Sequence, residues 1–183
     1  MIVQKRYNQT MILIVGLGNP GRIYKNTPHN LGFEVLDLMR SKYDFPGFKT
    51  FKNSKISIKD NIILAKPQTF MNKSGIAVQE LMNEYNIPIN DVHVVHDDID
   101  LEFGKIKYKL NSRSGGHNGI KDIIDHCKSQ DFHRIKIGVK TGEINDPKRF
   151  VLERFNRLEQ KKMFMTKESA VAAMATTALD ASS

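Results

Sequence analysis

The sequence predicts an α/β fold, a single domain whose mixed, mostly parallel sheet is flanked by helices. Short apolar segments of strand character alternate along the chain with longer segments of helical period, the pattern of a sheet covered by helices. The first strand candidate, Met11–Leu17, is apolar almost throughout, as a strand buried on both faces of a parallel sheet requires. The 183 residues, 40% of them hydrophobic, suit one core, and no repeat, low-complexity stretch or linker divides them.

After that strand, Gly18-Asn19-Pro20-Gly21 forces a turn. Leu31, Val35 and Leu38, broadened by Phe33, Leu36 and Met39, place an apolar stripe on a helix over 31–40. Segments 55–58 and 61–65 read as a hairpin around Lys59-Asp60. Ser74 is expected to cap a helix with the stripe Val78, Leu81, Met82 and Tyr85, which Pro88 keeps from continuing. Val92–His96 is a short strand ending in the acidic run Asp97-Asp98-Ile99-Asp100.

From Lys105 to Leu110 the alternation is strict. It predicts a strand with Ile106, Tyr108 and Leu110 on a core face and Lys105, Lys107 and Lys109 in solvent. Residues 111–119 are polar and glycine-rich. Ile120, Ile123, Ile124 and Cys127 mark another helix, and Ile135, Ile137 and Val139 a last alternating strand. Residues 158–179 are expected to be helical with a weak apolar stripe. One domain thus spans 1–183, with 1–10 as an extension ahead of Met11 and about 156–183 as an atypical helical tail.

No stretch approaches the ~18 apolar residues of a membrane span, and no secretory cleavage pattern follows Lys5 and Arg6. The single cysteine, Cys127, excludes an internal disulfide and fits a reducing compartment, so a cytoplasmic protein is expected. The net charge is +8. It is unevenly placed: residues 61–104 hold seven acidic and two basic groups, and residues 105–140 nine basic and three acidic. Such a chain suits a polyanionic partner gripped beside the acidic segment, or is simply a soluble basic protein.

Five segments carry candidate chemistry. Gly16-Leu17-Gly18-Asn19-Pro20-Gly21 satisfies the dinucleotide fingerprint Gly-x-Gly-x-x-Gly. Pro20 lacks the N–H that a phosphate would need, however, and Glu34 and Asp37 sit inside a helical pattern rather than at a strand end. His29, in Pro28-His29-Asn30, is a general-base candidate or a structural histidine. His96-Asp97-Asp98-Ile99-Asp100 closes a strand, where α/β sheets place ligands. Its carboxylates could orient an imidazole, bind a metal or merely be solvated, and no His-x-x-x-His or cysteine pair supports the metal. Ser114-Gly115-Gly116-His117-Asn118-Gly119 allows a ligand close to the backbone, with Asn118 as a candidate N-cap instead. Thr69–Gly75 is a loop leading into a helix.

Taken together, these motifs resemble those of bacterial-type peptidyl-tRNA hydrolases. The resemblance runs through Gly-Leu-Gly-Asn-Pro-Gly (16–21), Thr-x-His-Asn (27–30), Thr-Phe-Met-Asn-x-Ser-Gly (69–75), His-Asp-Asp-x-Asp (96–100), Gly-Gly-His-Asn-Gly (115–119) and Phe-x-Arg-x-x-x-Gly (132–138). It implies a monomeric α/β enzyme acting on peptidyl-tRNA with no cofactor and no metal. By position it implies His29 as the catalytic histidine and Asp97 as its partner. Asn19, Asn72 and Asn118 would line the substrate channel with Met71 and Tyr24. The same resemblance, with the charge pattern, assigns phosphate contacts to Lys105, Lys107, Lys109, Arg113 and Lys136. The chain departs from the family at Pro28, where arginine is frequent, and at Glu153, where glycine is usual. Its helical tail is also shorter.

Overall fold

The computed structural model describes residues 10–180, so nearly all of the expected extension and the last residues of the tail lie outside the described residues. Strand β1 (Ile12–Gly16) is buried at every position and occupies the middle of a seven-stranded sheet. Helix α1 (Leu31–Lys42) follows, then β2 (Lys49–Phe51), β3 (Ser54–Lys59) and β4 (Ile62–Pro67). Helix α2 (Ser74–Tyr85) leads to β5 (Val92–Glu102), β6 (Ile106–Leu110), α3 (Asn118–Cys127) and β7 (His133–Lys140). The short α4 (Pro147–Phe150) and the long α5 (Arg157–Asp180) complete the chain. In the order β2-β3-β4-β1-β5-β7-β6, the four central strands are parallel. The antiparallel strands β2, β3 and β6 lie toward the edges. This is the expected mixed sheet with a parallel centre.

Two cores explain why β1 is apolar throughout. Its even residues, Ile12 and Ile14, join Val35, Leu36, Met163 and Val171 under α1 and α5. Its odd residues, Leu13 and Val15, join Val78, Leu81, Ile120 and Ile123 under α2 and α3. The chain also leaves β1 in two directions, toward β4 on one side and β5 on the other. That switch in strand order opens a crevice at the carboxyl ends of the strands.

Helix α1 crosses β1 at backbone contact. A Cβ on Gly16 would lie 2.2 Å from the Gly32 carbonyl oxygen, and one on Gly32 2.2 Å from the Leu17 nitrogen. One on Gly18 would strike the Phe33 ring at 2.6 Å. At Gly16 and Gly18, two of the three glycines of the fingerprint-like motif, the space beside the backbone is therefore filled by the chain's own helix.

Four local features differ from expectation. Ser74 does not cap α2. It is the helix's first residue and its Oγ donates to the Met71 carbonyl at 2.8 Å, while Asp122 of α3 accepts the Gly75 N–H at 2.7 Å. A tertiary partner has replaced the local cap. Strand β5 continues past His96 to Glu102, because β7 still pairs with Asp97 and Asp98 after β1 has stopped opposite Val95. Strand β6 begins at Ile106, leaving Lys105 outside it, and Tyr108 (41% exposed) and Leu110 (53%) are not core residues. β6 is an edge strand, and only Ile106 packs on the core. Finally, β2 and α4 are too short to print a period in the sequence.

Candidate active site

Beyond the end of β1, the overhanging half of β5 carries Asp97, 2% exposed, into the crevice. His29 comes from the 3₁₀ turn Pro28–Asn30 that starts α1, its own N–H donating to the Val151 carbonyl at 3.0 Å. Its Nδ1 stands 3.0 Å from both carboxylate oxygens of Asp97. From the opposite side His117 places Nε2 3.1 Å from Asp97 Oδ1. His117 is also the N-cap of α3, its Nδ1 accepting the Ile120 N–H at 3.3 Å. That bond puts the ring proton on Nε2, so His117 donates to Asp97. Among the described residues His29 Nε2 has no hydrogen-bond partner, and His29 lines a cavity of ≈ 270 Å³ together with Asp97, His117, Asn118 and Val151.

Burial raises the Asp97 carboxyl, but the two imidazoles beside it outweigh burial and hold it well below the usual carboxylate range. His96, the next residue back, is different. Burial, then repulsion from His117, pushes it down to about 3, so it is neutral. Its Nδ1 bonds the Asp97 carbonyl at 2.7 Å, and its Nε2 is buried without a partner.

The ligand atoms of His29, Asp97 and His117 lie within 4.8 Å of one another, close enough to suggest a metal. The donor chemistry does not fit one. His117 Nε2 carries its proton, and both histidines already sit at hydrogen-bond distance from Asp97, where an interposed ion would have to displace N–H···O bonds.

Of the three asparagines only Asn118, the first residue of α3, is among the residues lining that cavity, and Asn19 and Asn72 connect to it through Met71. Asn19 is buried, and its Oδ1 accepts the Met71 N–H at 2.8 Å. Asn30 locks the Asn19 backbone on both sides: its Oδ1 accepts the Asn19 N–H at 2.9 Å and its Nδ2 donates to the Asn19 carbonyl at 3.0 Å. Met71 reaches α3, where a Cβ on Gly119 would meet its sulfur at 2.6 Å. Asn72, next to Met71, is exposed, and so is Asn118, next to Gly119. Because His117 supplies the cap of α3, the Asn118 side chain is not spent on that role. Tyr24 packs edge-on against Phe70, rings 6.4 Å apart. Phe70 has φ 61°, which costs a bulky residue of order 1–3 kcal/mol, and such strain clusters at functional sites.

The basic residues divide into two groups. Lys107, Lys109 and Lys136 line one groove of ≈ 390 Å³, shared with Asp98 and Asp100. In it Lys136 pairs with Asp98 at 3.1 Å. Lys105 is held by Glu102 at 2.8 Å, and exposed Arg113 lies outside that lining. His117 and Asn30 stand inside the motifs at 115–119 and 27–30, but the sequence alone assigns neither a role. A histidine one residue before a helix start and an asparagine beside a base candidate were the available signals.

The profile of the peptidyl-tRNA hydrolase family matches residues 13–182. The peptidyl-tRNA hydrolase of Listeria monocytogenes is 46% identical over 154 residues, 82% of this chain and 83% of that protein. That of Caldanaerobacter subterraneus is 43% identical over 168 residues, 90% and 91% of the two chains. The crystal structure of peptidyl-tRNA hydrolase from Acinetobacter baumannii superposes with TM-score 0.83 at 30% identity, covering 94% of this chain and 92% of its own. With sequence and fold in agreement over nearly the whole chain, this protein belongs to the peptidyl-tRNA hydrolase family.

Proposed function

We propose that this protein hydrolyses the ester between a peptidyl group and the 3′ ribose of tRNA, with His29 as general base oriented by Asp97. The observation that carries the reading is the His29 ring: Nδ1 is tied to Asp97, and Nε2 is left without a protein partner at the wall of a cavity. Nε2 takes a proton from water, and the water oxygen attacks the ester carbonyl. The Asp97 carboxylate accepts the Nδ1 proton's hydrogen bond and stabilises the imidazolium that forms. On collapse of the tetrahedral intermediate the imidazolium returns its proton to the departing ribose oxygen. His117 donates a second bond to Asp97, which keeps the carboxylate ionised and its plane in place.

The carboxamides of Asn19, Asn72 and Asn118 offer donors and an acceptor without net charge, which suits an uncharged peptide backbone and ester. With Met71 and Tyr24 they form the substrate channel. tRNA phosphates meet Lys107, Lys109 and Lys136 in their groove, and Lys105 and Arg113 add phosphate contacts from outside its lining. The protein acts as a monomer in the cytoplasm, needing no cofactor and no metal. No helix among the described residues is long and apolar enough to cross a membrane.

Release of free tRNA from peptidyl-tRNA by the purified protein tests the reaction. His29→Ala is expected to lower turnover by roughly 10²–10⁴-fold while binding tRNA normally. Turnover close to wild type in that variant would remove His29 from the role, and failure of the wild type to release tRNA would remove the reaction itself.

A further inference from the structure

Arg134, on β7, is fully buried, and its surroundings are unusual for a cation. Among the described residues no carboxylate pairs with it. Its Nη1 donates instead to the Ser112 carbonyl, to Ser112 Oγ at 2.6 Å and to the Arg113 carbonyl at 2.9 Å. Nη2 reaches the Gln130 carbonyl at 3.4 Å, the guanidinium lies 4.3 Å from the Phe132 ring centre, and Nε is buried with no partner. Removing an unpaired cation from water is expensive, and a methionine or leucine would fill the same volume without that cost. What the guanidinium alone supplies is a rigid, planar fork of N–H donors.

The fork grips the start of the glycine loop. Downstream of Ser112 and Arg113 come Gly115 (φ 59°) and Gly116 (φ 79°), and a Cβ on either would find nothing within 4 Å. At those two positions the loop offers no side chain that could pack and fix its path. The His117 N–H then turns back to the Ser114 carbonyl at 3.1 Å, and α3 begins. The loop is therefore held at its two ends, by Arg134 and by α3, and between them it delivers His117 to Asp97 and exposes Asn118.

We infer that Arg134 is a positioning residue of the active site, acting from inside the sheet through the 112–117 loop to set where His117 and Asn118 stand. The inference rests on reading His29, Asp97 and His117 as the reacting site. Arg134→Met, which keeps the volume and removes the donors, should loosen the loop. kcat for peptidyl-tRNA should fall by roughly tenfold to a hundredfold, the cost of a small misplacement, while KM moves by less.

Proton NMR of the free enzyme supplies a readout that does not depend on the substrate. In the wild type the His117 Nε2–H bonded to Asp97 should give a protected low-field resonance, absent from His117→Ala. In Arg134→Met it should exchange with water and disappear. In a His117→Ala background, Arg134→Met should cost less than it does in the wild type, because only the part of its effect that runs through Asn118 remains. Fully additive losses, or a low-field resonance unchanged in Arg134→Met, would overturn the inference and leave the hydrolase reading standing. If Arg134→Met does not fold, Arg134→Lys keeps the charge without the fork, and the same outcomes decide.

Discussion

Two imidazoles share one carboxylate, and Asp97 can satisfy both only because every lone pair it offers is an acceptor. Asp97→Asn replaces one oxygen with an NH₂ that faces a ring N–H, so one histidine must turn over or lose its bond. Turnover at saturating substrate should fall on the order of 10²–10⁴-fold, with the substrate constant changed far less. Release of tRNA under single-turnover and steady-state conditions measures both. A second pair of histidines lies well away from this site. His93 and His133 stack at 4.4 Å between β5 and β7, with the Tyr108 hydroxyl 3.2 Å from His93 Nδ1 and Asp91 near His133. Burial, then His133, pushes His93 down to about 4, and burial lowers His133 as well. Both are neutral in the fold. Above pH 6.5 they cost nothing. As pH falls from about 6.5 toward 4, the unfolded chain takes up protons that the folded one refuses, and stability is lost. His93→Leu should therefore reduce the slope of unfolding free energy against pH in that window by up to about 1.4 kcal/mol per pH unit. Urea titrations at several pH values check this, and an unchanged slope would refute it.

At the scale of elements, the site depends on how closely α1 approaches β1, since His29 sits in the turn that begins that helix. Gly32→Ala puts a methyl into backbone atoms of Leu17 and Val95 and must push the helix outward. It should destabilise the protein by about 1–3 kcal/mol and depress activity in the fraction that folds. Gly47→Ala is the control: a Cβ there meets nothing within 4 Å, and stability should be unchanged or slightly raised. Thermal midpoints of the two variants check both statements. The periodic stripes of α1, α2 and α3 were readable in sequence because they were long enough to repeat. Neighbours along the chain make Ser74 a cap and Asn118 a candidate cap as an alternative to its substrate role. In the fold Asp122 serves the N-terminus of α2, and His117 serves that of α3.

For the molecule as a whole, charge and topology meet at one edge of the sheet. Lys107 stands opposite Lys136 in the β6–β7 register, which turns an alternating lysine pattern and an isolated lysine into one groove. Lys107→Ala should weaken tRNA binding for every tRNA alike and reduce the slope of log affinity against log salt by roughly 0.7–0.9. Turnover at saturation should hardly change. Salt titrations with the same slope for variant and wild type would show that these lysines only keep an exposed edge soluble. In sequence Asp98 and Asp100 belong to the acidic cluster alone, and only the fold sets them among the lysines of the groove.

By itself the sequence determined the fold class, the order of most elements and the motifs that supply His29, Asp97 and Asn118 to the wall of one cavity. Hydrophobic period is a local property, and the motifs are contiguous runs of glycine, asparagine, histidine and aspartate that survive being read one segment at a time. Only the tertiary structure decided that Asp97 lies within β5 rather than after it, because β7 goes on pairing where β1 has ended. It also decided that His117 holds Asp97 from the far side, that Tyr108 and Leu110 lie at an uncovered edge, and that Gly16 and Gly32 face each other. Each of these depends on which segments, remote in the chain, become neighbours, and a contact across the sheet leaves no period in either partner.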